Sequence, residues 1–268
     1  MSTAVEKNTL SSALRVLDGL RVIAHARGPV PLAQLAAELG TSEVAAFRVA
    51  STLIAGGYVR QAGPGAGYVM TWQVVEMSRM LLDRTNLRKV AEGRLSTLAD
   101  HYTECITLAI PDGDHVVFVD RINGDLNVHL FCDVGKRLPL HVGAASRAVL
   151  AHAPQPLIDE YLAGSLAPFT DATPTDPDLV ARDLAEIRDV GYAISAGDVE
   201  VGISAVAAPI LNARSEVLGA AAIANISAKW SDDDVLERGR RMVEVCREIS
   251  RDAAELTQAF RLNRKKGN

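Results

Sequence analysis

Cysteine is scarce: Cys105, Cys132 and Cys246 are scattered along 268 residues. An odd number with no pair motif excludes a disulfide framework. It points to reduced thiols packed as small hydrophobes, and to a cytoplasmic compartment. Aromatic residues are also few, at 4%. Cores must then be built from Leu, Val, Ile and Ala, for which a hydrophobic content of 48% is ample. No apolar run approaches the ~18 residues that span a bilayer, and the polar start, Met1 to Thr9, has no signal-peptide apolar region. No membrane partner is expected. The histidines (25, 101, 115, 129, 141 and 152) show no metal-ligand spacing, and His129 and Cys132 share a strand-like stretch at opposite parity. "GPGAG" lacks the Gly-Lys-Ser/Thr ending of a phosphate loop. Neither a metal nor a cofactor is expected.

What is present is an uneven charge. The net charge is −5, yet residues 1–70 hold six Lys/Arg against four acids, and the remainder holds 22 basic against 29 acidic residues. A mildly basic leading segment on an acidic body fits a module that meets a polyanion. The length favours two domains of ordinary size.

From Ser11, the residues Leu14, Leu17, Leu20, Ile23 and Ala24 recur at helical spacing, with Ser11 or Ser12 as N-cap. "RGPVP" stops that helix. Pro31 suits the edge of a second, with Leu32, Leu35 and Leu39 inward, and Gly40 supplies a left-handed residue to end it. Thr41 or Ser42 caps a third helix, with Phe47, Leu53 and Ile54 expected to face in, and Gly56-Gly57 closes it. "YVRQ", "GPGAG" and "YVM" read as strand, turn, strand. Two helices so close in sequence must cross steeply, and with the hairpin they make a winged helix-turn-helix whose second helix suits a major groove.

Trp72 to Tyr102 reads as a long helical stretch broken near Asp83–Asn86. The period then changes to strand-like in "CITLAI", "HVVFVDRI" and "NVHLFCDV", with a hairpin turn at "PDGD". Helices follow in "AASRAVLAHA", "PQPLIDEYLAG" and "LVARDLAEIRDVG", then strands in "ISAVAAPIL" and "EVLGAAAIANI". Ser231 caps a closing helix expected to run from Asp232 to Phe260. This order indicates an α+β fold with a mostly antiparallel sheet. The expected division is 1–71 for DNA binding, 72–86 a linker helix, 87–260 a second domain and 261–268 a basic tail.

The stretches "SALRVLDGLRVIA", "LAQLAAELG", "FRVASTLIAGGYV", "GKRLPLHVGAASRAVLA" and "IRDVGYAISAGDVEVGISAVAAPIL" together resemble IclR-type bacterial transcriptional regulators, over nearly the whole length. The resemblance implies a winged helix-turn-helix, a linker helix and a GAF-like effector domain. It also implies homodimers or homotetramers on pseudo-palindromic DNA operators, as repressor or activator.

On the third helix, Ser42, Glu43, Ala46, Arg48, Val49 and Thr52 are available to DNA, depending on its rotation. Arg48 grips guanine or phosphate through two hydrogen bonds, or else pairs with Glu43 or another acid. Arg60 and Gln61 on the wing reach backbone or minor groove, or are solvated. Val44-Ala45 stands where the family commonly carries a hydroxyl pair, so this base readout departs from the family's.

For a small-molecule effector, the backbone N–H groups of Ala144, Ala145 and Ser146 at a helix start form a carboxylate seat. Leu130 and Leu138 supply apolar walls, and His141 lies in the same motif. The resemblance places Ser195, Ala205 and Ala222 where family members contact a bound acid. Only one of these is polar, which favours a larger or aromatic acid. Asp198 and Glu200 either bond a ligand hydroxyl or line a wet loop. The rival reading is a hydrolase-like enzyme using His141, Ser146 or Ser204, and Asp198. No Gly-x-Ser-x-Gly elbow supports it.

Overall fold

The computed structural model describes residues 9–83, 86–102, 104–123 and 132–256. The chain divides into two compact units, parting between Arg84 and Thr85. Leu130, His129 and the basic tail lie outside the described residues.

The first unit contains α1 (Ser11–His25), α2 (Leu32–Glu38), α3 (Glu43–Ala55), the strands β1 (Val59–Gln61) and β2 (Tyr68–Met70), and α4 (Gln73–Asp83). Gly40 takes φ +57°, the left-handed turn between α2 and α3. The side chain of Ser42 caps α3 by accepting from the N–H of Ala45. At α1 the expected serine cap is absent. The N-cap is Leu10, with no side-chain bond, and both serines fall inside the helix.

The phase of α3 also differs from expectation. Ala46, Val49, Ala50 and Leu53 face the core, while Phe47 is 53% exposed and Ile54 also lies outward. Two apolar stripes compete on this helix, and the one with alanines wins because α1 approaches closely. A Cβ on Gly19 of α1 would lie 2.4 Å from Val49 Cγ1. Gly19→Ala should therefore destabilise the first unit by about 1–2 kcal/mol through overpacking, read as an earlier first transition in calorimetry of the full chain.

The second unit contains α5 (Asn86–His101), β3 (Cys105–Asp112), β4 (His115–Asn123), β5 (Arg137–Pro139), α6 (Ala144–Ala151), α7 (Gln155–Leu162), α8 (Pro177–Val190), β6 (Ala193–Ala196), β7 (Ile203–Leu211), β8 (Val217–Ile226) and α9 (Asp232–Asp252). Its sheet has the order β5-β4-β3-β8-β7-β6, and every pairing is antiparallel. Side chains alternate between faces along each strand. Phe118, Ala207, Ala220 and Ala222 join α6 and α8 in one apolar core. The intervening Ala208 meets α9, where the Cys246 thiol donates to its carbonyl (3.4 Å). Helices thus cover both faces, and β8 is buried from Val217 to Asn225. Arg94 of α5 joins α9 through Glu248 (2.5 Å) and Asp252 (2.7 Å).

Ser231 caps α9 in a reciprocal box with Asp234. The helix ends at Asp252, with Ala253 as C-cap, short of the expected Phe260.

Candidate functional site

The outward face of α3 is defined by what its inner stripe leaves free. Ala46 (0% exposed) and Val49 (5%) are buried. Their expected DNA role is corrected on that ground, since both side chains are committed to the core of the first unit. Ser42, Glu43, Arg48 and Thr52 remain exposed. Among the described residues no carboxylate pairs with Arg48, and Glu43 does not reach it. Thr52 Oγ1 donates back to the carbonyl of Arg48 (2.8 Å), so its hydroxyl is partly engaged with its own helix. Val44 (68% exposed) and Phe47, the latter expected to face in, add an apolar component to this face.

The wing pairs Val59 with Met70, Arg60 with Val69 and Gln61 with Tyr68. Tyr68 exchanges two backbone hydrogen bonds of 2.9 Å with Val30, which ties the wing to the entrance of α2. Arg60 and Gln61 are exposed; Arg60 Nη1 donates to the carbonyl of Gln61 (3.2 Å). One arginine on the outward face of α3, Arg48, and one on the wing strand, Arg60, are available to phosphates and base edges.

In the second unit, a cavity of about 40 Å³ opens between the sheet and the start of α6. Leu138, Ala144, Ala145, Ser195, Ala205, Ala222 and Glu200 are among the residues that line it. The strand register explains the convergence. Ser195 pairs with Ala205, Ala205 with Ala224, and Ala224 with Cys105, which makes one row across four strands. The sequence reading missed Cys105, Thr107, Phe118, Cys132 and Val199, all in the lining. Parity along β3 was the available signal for Thr107. Burial pushes the Cys132 thiol up to about 12, so it lines the wall as a neutral group.

Gly143 begins α6 at φ +82°, where a Cβ would lie 2.7 Å from Val199 Cγ2. Only glycine fits there. Its N–H donates to Asp198 Oδ2 (3.1 Å). The buried Asp198 also accepts from the Ser195 hydroxyl, and Arg147 Nη2 lies 3.2 Å from it. Arg147 in turn reaches Asp183 (3.1 Å) and the carbonyl of Ile194 (2.5 Å). Asp198 is therefore a buried anchor that fixes the 197–202 loop on α6, and it does not line the cavity. The alternatives for Asp198, a ligand contact or a wet loop, both yield to this arrangement.

His141 and Ser146 are buried outside the lining as well. His141 Nε2 donates to the Ala167 carbonyl (3.0 Å), which leaves Nδ1 to accept from the Tyr161 hydroxyl (2.7 Å). Burial holds its pKa below the usual histidine value, so the ring is a neutral strut. Among the described residues Ser146 Oγ has no hydrogen-bond partner, and Ser204 bonds Ser227 (2.8 Å). The components of the rival triad are thus each engaged elsewhere or isolated. Among the described residues no group of three His, Cys, Asp or Glu could hold a metal, and no helix is long and apolar enough to cross a membrane.

The family model for the IclR helix-turn-helix domain matches residues 12–63, and that for the bacterial transcriptional regulator IclR C-terminal matches residues 79–252. The chain is 26% identical over 253 residues to the transcriptional repressor IclR of Escherichia coli, covering 93% of this chain and 92% of that one. It is 27% identical over 221 residues to the HTH-type transcriptional regulator KipR of Bacillus subtilis, covering 82% and 88%. The crystal structure of Thermotoga maritima IclR superposes with a TM-score of 0.76 at 25% identity, covering 92% of this chain and all of that one. An IclR homolog of Microbacterium hydrocarbonoxydans complexed with 4-hydroxybenzoate shares the fold, with a TM-score of 0.72 at 22% identity over 90% of this chain and 99% of that one.

A DNA-reading unit joined to a separate α+β unit defines a transcriptional regulator with an effector domain. That domain is GAF-like, and the family is one of transcription regulators, not of enzymes. The chain belongs to the IclR family of bacterial transcriptional regulators.

Proposed function

We propose that this regulator binds a pseudo-palindromic operator as a homodimer or homotetramer in the cytoplasm, and that an organic acid with an aromatic or other large apolar body is its effector. The observation that carries the effector class is the composition of the cavity. Phe118, Leu138, Val199 and the alanines of β7 and β8 form its walls, with Thr107, Ser195 and Glu200 as the polar side chains. The N–H groups of Ala144 and Ala145 at the start of α6 would meet the carboxylate. The Microbacterium protein of the same fold is complexed with an acid of this class.

At about 40 Å³ the cavity holds a water or two, far less than the ~300–1,000 Å³ of ligand pockets. An effector therefore enters only as the walls part. It shifts DNA binding by its differential affinity for the open and closed forms. Residues 72–86, which include α4, would carry that difference between the two units. Exposed apolar side chains on α1 (Leu14, Leu17) and α4 (Val75, Met80, Leu81) support self-association.

Isothermal titration of the full chain with 4-hydroxybenzoate and with pyruvate tests the effector class. Aromatic acid should bind more tightly than pyruvate, and Ala222→Leu, which fills the cavity, should weaken it by about tenfold or more. Tight pyruvate binding with no aromatic acid bound would reject the proposal.

A further inference from the structure

We propose that a second cleft in the effector unit binds a small molecule carrying two or more phosphate-like negative charges on an apolar body. This cleft has a volume of about 620 Å³, within the ~300–1,000 Å³ range of ligand sites. It shares no lining residue with the cavity at α6, and it forms where the ends of α6 and α8 meet β7 and the later turns of α9. Its floor is apolar, from Ala208, Pro209, Leu211, Val243 and Ala254. Its cations are Arg188, Arg247 and Arg251, and no Asp or Glu lines it; His152, whose pKa burial holds below the usual histidine value, adds a neutral ring.

That arrangement runs against the charge of the molecule, which is −5 overall. Arg247 and Arg251 stand one turn apart on α9, so they share a face, and two like charges so placed repel. Neither makes a hydrogen bond or ion pair with any described residue. Elsewhere on α9 the arginines stand among acids: Arg238 pairs with Glu104 (2.7 Å) and Asp234 (2.8 Å), Arg241 pairs with Glu244 (2.9 Å), and Arg240, although it too makes no ion pair with a described residue, shares its surface with Asp233, Glu237 and Glu244. Arg188 is pinned at the cleft wall by donation from Nη1 to the carbonyl of Ala151 (3.1 Å).

The helix dipole explains part of this. Arg188 and Arg251 lie in the last turns of α8 and α9, where a cation is favoured without any ligand. Arg247 lies a turn earlier and has no such reason. Guanidinium groups around an apolar floor suit a ligand that offers phosphates to the first and a hydrocarbon or ring to the second. DNA phosphates carry the same charge, but a concave site of this size favours a small molecule over a rigid duplex.

Titration calorimetry of the full chain with pyrophosphate and with magnesium-free ATP tests the assignment. Three proteins are compared: the unmodified chain, Arg247→Ala/Arg251→Ala, and Arg240→Ala/Arg241→Ala as a control of equal charge on the same helix. The unmodified chain should bind at least one probe. The Arg247/Arg251 variant should lose about tenfold or more in affinity, with the control unchanged. No binding of either probe, or equal loss in both variants, would overturn the site. So would a result in which Arg247 and Arg251 affect only the salt dependence of DNA binding.

Discussion

Asp198→Ala should destabilise the effector unit by about 3 kcal/mol, at the lower end of the cost of breaking a buried ion pair. The carboxylate is buried and serves three partners: the N–H of Gly143, the hydroxyl of Ser195 and the guanidinium of Arg147. Its removal leaves an unsatisfied N–H at the start of α6 and a buried arginine with Asp183 as its remaining carboxylate. Asp198→Asn should cost roughly half as much, because the amide oxygen still accepts from Gly143 while the charge is lost. Pairing Asp198→Ala with Arg147→Met should cost less than the two changes separately, as expected for groups in one network. Calorimetry of the full chain, with the two units' transitions resolved, measures all of these. A loss under ~1 kcal/mol for Asp198→Ala would mean that the carboxylate is solvated and the loop is not anchored through it.

Arg48→Ala should weaken specific operator binding by about 1–3 kcal/mol, the scale of one bidentate base contact. Arg48 is exposed on the outward face of α3 and is not engaged by Glu43 or any other described carboxylate, so its hydrogen-bonding capacity is available to DNA. The stability of the first unit should not change, since nothing in the fold depends on that side chain. Binding to scrambled DNA separates two roles. A base contact lowers specific affinity more than nonspecific affinity, whereas a phosphate contact lowers both and reduces the salt slope by about one. Unchanged affinity at fixed salt would remove Arg48 from the interface.

Local signals carried much of this fold into the sequence. Pro31, Gly40 and Ser42 punctuate the helix-turn-helix, and the Ser231–Asp234 box marks the start of α9. These depend on neighbours in the chain and are legible there. The rotation of α3 was not, because Ala46-Val49-Ala50-Leu53 and Val44-Phe47-Ser51-Ile54 are both helical stripes. The choice between them is made by Gly19, some thirty residues away, which admits Val49 and leaves Phe47 outside. The cavity shows the same division. Ala144, Ala145 and Ser146 are legible as a helix start, and the strand residues Ser195, Ala205 and Ala222 come from the family resemblance. Cys105 and Thr107 join them only through the register of β3 on β8, a pairing across more than a hundred residues that no local pattern encodes. Asp198 was seen as a ligand contact or a loop residue, because its partner Arg147 reads in sequence as an ordinary helical cation.

The central claim, sequence-specific DNA binding by the first unit, is tested most directly by fluorescence anisotropy. Purified full chain is titrated onto labelled fragments from its own upstream region and onto scrambled DNA, across a range of salt. A preference of about 10³ or more for one upstream fragment, retained at physiological salt, is the expected result. Weak binding that is blind to sequence and erased by salt would contradict it.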